Sequence, residues 1–313
     1  LKLVTFYNKR RKPNLGLVLN KFILDISEFH KYYELKNKIK NNINIPKDMK
    51  SLLESKPFVM STIKKLEKLA KKIIIIDNME IKLLLRKKII LSIDKVKLIA
   101  PIINPQKIVA IGLNYMDHCR EQHIEPPKQP VIFAKYPTSI IGQNDYITWS
   151  SQLTQQVDFE AELGVIIGKK ARNISADKAF DYVFGYTCVN DVSARDIQFG
   201  DGQWVRGKSL DTFCPTGPYI VTKDEVADPQ NLSIKCIVNG VALQDSNTKE
   251  MIFKIPNLIS FITSAITLLP GDIISTGTPN GVGVFRDPKI FLKSGDVVKV
   301  KIEKIGELIN RVK

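Results

Sequence analysis

In the run Asp158-Phe159-Glu160-Ala161-Glu162-Leu163, acids take alternate positions and apolar residues fill the gaps. On a strand, side chains at i and i+2 point the same way. Phe159, Ala161, Leu163 and Val165 are therefore expected to face a core, with Asp158, Glu160 and Glu162 on the opposite face. A solvated sheet edge is the plain explanation for one such acid and tolerable for three. Gly164 is expected to leave the acidic face open, and Val-Ile-Ile follows, so the strand should enter the core from a semi-buried rim. Carboxylates crowded there repel one another, and some would protonate unless a cation lay among them. Oxygen donors on a rigid strand select Mg²⁺ or Mn²⁺ over softer metals, with Ca²⁺ suited to a looser geometry. A third candidate metal ligand, Asp191, ends the run YTCVND as the chain turns. Sheet enzymes gather chemistry at such strand ends, though an ordinary Asn-Asp turn explains the same residues. Two glutamates from one strand and an aspartate from another would hold an ion on one side and leave positions for water and a bidentate substrate. Spacing alone does not prove that Asp191 meets the pair.

Three histidines are present, His30, His118 and His123. His118 and Glu121 lie three apart in MDHCREQH, a segment of helical character, so they share a face and can hydrogen-bond. A carboxylate so placed fixes the imidazole tautomer and raises its basicity, leaving the other nitrogen to activate water or move a substrate proton. A polar turn of surface helix is the competing explanation. His30 and His123 have no comparable partner and read as surface or packing residues.

These candidates need a scaffold, and the chain supplies one by pattern. LVTFYN and GLVLNKFILDIS read as strands joined by a polar turn, RRKPN. Ile63, Leu66, Leu69 and Ala70 have helical spacing. After Ile102-Ile103-Asn104-Pro105 the texture changes, and glycine and turn signals become regular. KIVAIGLNY and VIFAKY read as strands around the His118 segment. ISADKAFDYVFGYTCVND reads as a short helix and then a strand, and Ser193 to Asp196 has the spacing of a capping box. Asn239-Gly240 between SIKCIV and VALQDS predicts a type I′ hairpin. PNLISFITSAITLL predicts an apolar helix, followed by strands at DIISTG, VVKVKIEKI and LINRV. The expected fold is mixed and mainly β, a sandwich that coils into a roll or barrel with short helices, plus a small α+β N-terminal domain. The boundary falls between residues 98 and 99. Neither GxGxxG nor GxxxxGK[ST] occurs, so a nucleotide-cofactor fold has no support.

Composition narrows the classes further. Hydrophobic residues at 44% and charged residues at 25% fit a soluble globular protein of 313 residues, one large domain or one with an appendage. Apolar runs are broken by lysine or arginine before reaching the ~20 residues of a membrane span. The opening LKLVTFYNKRRKPNLGLVLN lacks the order of a secretory signal, so a cytoplasmic protein is expected. Cys119, Cys188, Cys214 and Cys236 show no CxxC spacing, which argues against a zinc ribbon or disulfide scaffold. The net charge of +15 comes entirely from the first third: residues 1–100 hold 24 Lys+Arg against 9 Asp+Glu, and residues 101–313 hold 23 of each. A basic face can bind nucleic acid. Lysines alternating with Ile and Leu in KKLEKLAKKIIIIDNMEIKLLLRKKII read more simply as the wet side of half-buried elements.

From about Val109 to Val312 the chain resembles the fumarylacetoacetate hydrolase family. The pieces that carry the likeness are IGLNYMDHCREQ, VIFAKYPTSIIG, VDFEAELGVIIGKKARNI, GYTCVNDVSARDIQ, WVRGKSLDTFCPTGPYIV and STGTPNGVG, in the family's order. The resemblance implies that Glu160, Glu162 and Asp191 are Mg²⁺ or Mn²⁺ ligands and that His118 with Glu121 is a catalytic pair on a mobile lid. It implies that Lys208 is a catalytic cation reaching the oxyanion or the metal-bound substrate oxygen, with Gln198 its polar neighbour. Lys135 is placed near the pocket and Thr278 at the substrate carboxylate. The implied activity is Mg²⁺-dependent hydrolysis of a C–C bond in an acylpyruvate- or fumarylacetoacetate-like 2,4-dioxo acid through a metal-bound enolate. The alternative is an isomerase or decarboxylase of hydroxyheptadienedioate or oxaloacetate type using the same enolate. A non-enzymatic nucleic-acid-binding protein, working through the basic N-terminal region, ranks below both. The expected partners are a small oxo acid and a second copy in a homodimer, with no membrane contact.

Overall fold

The structure, a computed structural model, describes residues 1–7, 12–39, 43–76 and 78–313. Of the turn expected over residues 10–14, residues 10 and 11 lie outside the described residues. Among the described residues the fold is mixed and mainly β with short helices. Twelve strands form one sheet whose main path runs from Ile90–Ser92 at one edge to Val131–Lys135 at the other. Because that path is open at both ends, the sheet is not a closed barrel. A five-stranded sheet contains the hairpin Ser233–Val238 and Val241–Asn247, then Val297–Ile302, Gly306–Val312 and Tyr146–Ile147. The hairpin turns at Asn239 (φ 50°) and Gly240 (φ 85°), two positive angles as a type I′ turn demands.

At the centre, the strand Ala161–Ile167 is flanked by Val183–Asn190 and Ile273–Ser275, both antiparallel to it. Its alternation works as the sequence predicts on one face. Phe159, Ala161, Leu163, Val165 and Ile167 join one core cluster with Ile234, Cys236, Val298 and Val300 of the five-stranded sheet. The opposite face departs from expectation. Ile166 belongs to a second core cluster with Leu3, Leu17, Phe29 and Ile63, so the strand is buried on both sides. Gly164 does not open the acidic face: a Cβ there would lie 2.7 Å from Val189 Cγ2 and 3.0 Å from Thr187 Cγ2. The missing side chain lets the neighbouring strand pack close.

The N-terminal residues extend the same sheet. Lys2–Tyr7 pairs with Cys214–Thr222 through Lys2 opposite Val221 and Leu3 opposite Ile220. The helix Pro57–Ile76 buries Val59, Ile63, Leu66 and Ala70, a stripe at spacings of three and four, and turns its lysines outward. A helix over Ile26–Asn37, started by the Asp25 side chain accepting from Glu28 N–H, was not evident from the sequence. Its apolar residues do not recur along one face as cleanly. The capping box expected at Ser193 does not form. Ser193 Oγ donates to the Asp191 carbonyl, and Asp196 accepts instead from Thr154 Oγ1. All four cysteines are buried and free, as small apolar packing residues would be.

Tight backbone approach sets a stability expectation. Gly164→Ala should cost about 1–3 kcal/mol by overpacking. Gly185→Ala should cost more, since its Cβ would meet the Val221 carbonyl oxygen at 2.2 Å and backbone cannot rotate away. Urea denaturation of both variants checks this, and an unchanged midpoint for Gly185→Ala would contradict the packing described.

Candidate metal centre and catalytic site

Register explains how Asp191 reaches the two glutamates. Ala161 pairs with Asn190 at the end of the central ladder, so the next residues out, Glu160 and Asp191, are neighbours across the same two strands. Asp191 N–H donates to the Glu160 carbonyl at 2.9 Å, and Glu160 N–H to the Asn190 side chain at 3.0 Å. Glu162, two residues along, shares the face of Glu160. Carboxylate oxygens of Glu160, Glu162 and Asp191 all lie within 4.8 Å of one another, and all three residues are buried. The acids are thus not on a semi-buried rim; Glu162 is 1% exposed and Asp191 0%.

Buried cations surround two of them. Lys208 Nζ donates to Glu160 at 2.8 Å and to Asp191 at 2.9 Å. Arg195 Nη1 lies 2.7 Å from the other Glu160 oxygen. Lys135 is fully buried behind Asp191, donating to its Oδ1 at 2.6 Å and to the carbonyls of Val192 and Lys208. Its ammonium therefore braces a metal-ligand candidate and the Lys208 backbone, and it does not line the cavity. Among the described residues no cation contacts Glu162: its Oε2 accepts from Ser275 Oγ and from Gly277 N–H at 3.2 Å.

The protonation equilibria follow this division. Burial raises the Glu160 carboxyl, but Lys208 and Arg195 outweigh it and hold the group at about 2. Burial, then Asp191 and Glu160, push Glu162 well above the carboxylate range. Burial lowers the Lys208 ammonium, and Asp191 and Glu160 more than restore it. Asp158, Glu160, Glu162 and Asp191 give four buried carboxylates against the three buried cations Lys135, Arg195 and Lys208. Fully ionised, the set would carry one negative charge too many, and Glu162, the acid with no cation contact, takes up the difference by holding a proton when no ion is bound. An all-oxygen donor set with an uncompensated carboxylate fits a hard divalent cation.

A cavity of about 110 Å³ opens onto this cluster. His118, Gln198, Thr278, Arg195 and Lys208 border it on the polar side; Phe133, Phe199, Trp204 and Phe285 border it on the apolar side. His118 is 6% exposed, not on a surface turn, and its Nδ1 sits 2.9 Å from Glu121 Oε2. Glu121 is itself fixed, accepting from Gly281 N–H at 2.8 Å. The Phe285 ring packs at 5.8 Å from the imidazole. Gln198 Oε1 accepts from Arg195 Nη1 at 2.9 Å rather than touching Lys208. Thr278 Oγ1 donates to the Ala161 carbonyl at 3.0 Å and accepts from Gln244 at 2.8 Å.

Two residues of the site escaped sequence reasoning. Arg195 lies four positions after Asp191 in DVSAR, and its Nη2 is buried with no hydrogen-bond partner, a donor left over beside the cavity. A buried guanidinium always requires partners, so an arginine beside three acids was the available signal. Asp158 reads in sequence as a third acid of the same face, yet it turns away from the cluster. It accepts from Arg195 Nε at 2.8 Å, Gly283 N–H at 2.7 Å and Val284 N–H at 3.0 Å. It thereby ties Arg195 to the turn that carries Phe285.

Residues 107–313 match the family model described as fumarylacetoacetate (FAA) hydrolase, C-terminal. The chain is 52% identical over 225 residues to the mitochondrial oxaloacetate tautomerase of Xenopus laevis, covering 71% of this chain and 70% of that protein. It is 43% identical to the fumarylacetoacetate hydrolase domain-containing protein 2 homolog of Dictyostelium discoideum, over 100% of this chain and 97% of the relative. Among solved structures, the fumarylacetoacetate hydrolase from Exiguobacterium antarcticum aligns with a TM-score of 0.76 at 33% identity, covering 100% of this chain and 99% of that one. With the family's model matched over residues 107–313 and the family's fold shared along the whole chain, the chain belongs to the fumarylacetoacetate hydrolase family of enzymes.

Proposed function

We propose that the chain is a divalent-cation-dependent enzyme that interconverts the keto and enol forms of a small 2-oxo dicarboxylate of the oxaloacetate kind. One observation carries this reading: a buried triad of carboxylates with one charge uncompensated shares its cavity with an oriented imidazole. The name and 52% identity of the Xenopus relative support the substrate class. Glu160, Glu162 and Asp191 would hold Mg²⁺, or Mn²⁺ in its place, and the bound ion would supply Lewis acidity toward the oxo-acid oxygens.

The chain's own groups divide the remaining work. Glu121 holds Nδ1 of His118, so Nε2 is the nitrogen available to take a proton from the carbon beside the keto group and to return one. Lys208, kept charged by two carboxylates, presents its ammonium where negative charge grows on the keto oxygen. Arg195, with an unused Nη2, is suited to a substrate carboxylate, and Gln198 holds its other nitrogen in place. Thr278 and the aromatic residues close the cavity against water. Lys135 acts as a positioning residue for Asp191.

C–C hydrolysis of an acylpyruvate is the second reading. The aromatic wall of Phe133, Phe199 and Phe285 favours it, since an acyl chain would lie there with His118 activating water. For organisation we retain residues 1–98 as a cap folded onto a catalytic unit of residues 99–313, a homodimeric assembly and a cytoplasmic site of action. Cell fractionation tests the last, because the Xenopus relative is named mitochondrial.

Activity separates the readings. Purified enzyme with Mg²⁺ should accelerate loss of enol-oxaloacetate absorbance, and His118→Ala should lower kcat/KM by about 10²–10⁴-fold. Faster cleavage of acetylpyruvate, with label from water entering the acetate, would overturn the tautomerase in favour of hydrolysis. Stability gives an independent check of the cation. Glu162 is raised above its ordinary 4.5, so its contribution is full below that pH and is lost as pH rises through the folded-state value. Glu160 runs the other way, its contribution present above 4.5 and lost as pH falls through about 2. Glu162→Gln should therefore raise the melting temperature of metal-free protein at pH 8. Mg²⁺ at a hundredfold excess over its pH 8 Kd should stabilise the wild type by about 2.7 kcal/mol at pH 8, the same concentration should stabilise it less at pH 5, and Glu162→Gln should be unmoved. An equal Mg²⁺ shift in both proteins would contradict this.

A further inference from the structure

We infer that the corner formed by the end of the helix Pro57–Ile76, the start of the helix Asn78–Arg86 and the end of the helix Ile26–Asn37 docks onto an anionic lipid surface. The three ends meet there. Tyr32 donates to Glu80 at 2.9 Å, and Lys36 pairs with the same carboxylate. Four aliphatic side chains at these ends are exposed: Leu35 is 81% exposed, Ile75 82%, where it borders a groove with Leu1 and Val18, Ile76 70% and Met79 84%. They are not spillover from the core stripe. That stripe passes through Leu66 and Ala70 and continues to the half-buried Ile73 and Ile74, which leaves Ile75 and Ile76 turned off it.

Charge decides what the corner fits. At the three helix ends, Lys36, Lys38, Lys68, Lys71, Lys72 and Lys82 outnumber Glu34, Glu67 and Glu80 among the described residues. Lys71 and Lys72 sit one turn back from Ile75 and Ile76, and Lys82 sits three residues from Met79, all exposed. Of the acids, Glu67 pairs with Lys71, and Glu80 holds Lys36 and Tyr32. Aliphatic tips flanked by long cations match a headgroup boundary, where tips enter the acyl region and ammonium groups stay with lipid phosphates. Each such lysine adds to attraction by an anionic leaflet. No helix among the described residues is long and apolar enough to cross a membrane, so the contact lies on the surface. This departs from the expectation of no membrane contact.

Other occupants fit less well. Single-stranded nucleic acid is held by aromatic platforms, and this corner offers Leu, Ile and Met. A stable interface with a second copy needs about 800 Å² from each partner, more than four side chains supply.

The test is co-sedimentation of full-length protein with vesicles of phosphatidylcholine alone or with phosphatidylserine added, at low and high salt. The expected result is binding to the phosphatidylserine vesicles only, weakened by salt. The combined variant Ile75→Ser, Ile76→Ser, Met79→Ser should bind at least tenfold less, and Lys72→Glu with Lys82→Glu likewise, with enzymatic activity unchanged as proof of folding. Equal binding by wild type and the serine variant, or none by either, would overturn the inference. So would a concentration-dependent dimer, or RNA binding, that the same substitutions abolish while vesicle binding is absent.

Discussion

A carboxylate taken out of water without a partner costs several kcal/mol, and the cluster of Asp158, Glu160, Glu162 and Asp191 buries four beside the cations Lys135, Arg195 and Lys208. The arrangement leaves Glu162 as the residue that must be neutralised by a proton or by an ion. Much of the surrounding structure serves to maintain that imbalance. Lys135, Lys208 and Arg195 are spent on Asp191, Glu160 and Asp158, so none reaches Glu162, which gets only a hydroxyl and a backbone N–H. Among the described residues no cation contacts this carboxylate, and the charge of Lys208 offsets its burial only in part.

The ladder between Ala161–Ile167 and Val183–Asn190 fixes the same imbalance geometrically. Its register sets Glu160 beside Asp191, and close packing at Gly164 against Thr187 and Val189 holds the two strands together, while Gly185 packs tightly against the next strand, Cys214–Thr222. The five-stranded sheet closes one face of the central strand. The N-terminal helices help close the other, at Ile166. The basic first third therefore contributes to the same sheet and core as the candidate site residues, while its lysines remain outside.

Period-two alternation from Phe159 to Val165 was legible in the sequence because only one side of a strand can face a given core. The hairpin at Asn239-Gly240 was legible because few residues accept positive φ. The clustering of the three acids and the contact of His118 with Glu121 were legible too, since alternation and a spacing of three put those side chains on shared faces. What stayed hidden depended on chain crossings. That Lys135 lies behind Asp191, and that Asp158 turns from the cluster to Arg195 and the Gly283 turn, are consequences of residues 37 to 125 positions apart meeting. Local spacing carries no record of such meetings. Burial of the acids was also missed, because a strand covered on both faces can keep polar residues at one end if cations follow them in.

Diffraction from crystals soaked in Mn²⁺, with anomalous scattering used to locate the ion, tests the metal centre most directly. The account predicts one strong peak among Glu160, Glu162 and Asp191, at about 2.1 Å from an oxygen of each. A peak elsewhere, or no peak at saturating Mn²⁺ while Lys208 still bridges Glu160 and Asp191, would contradict it.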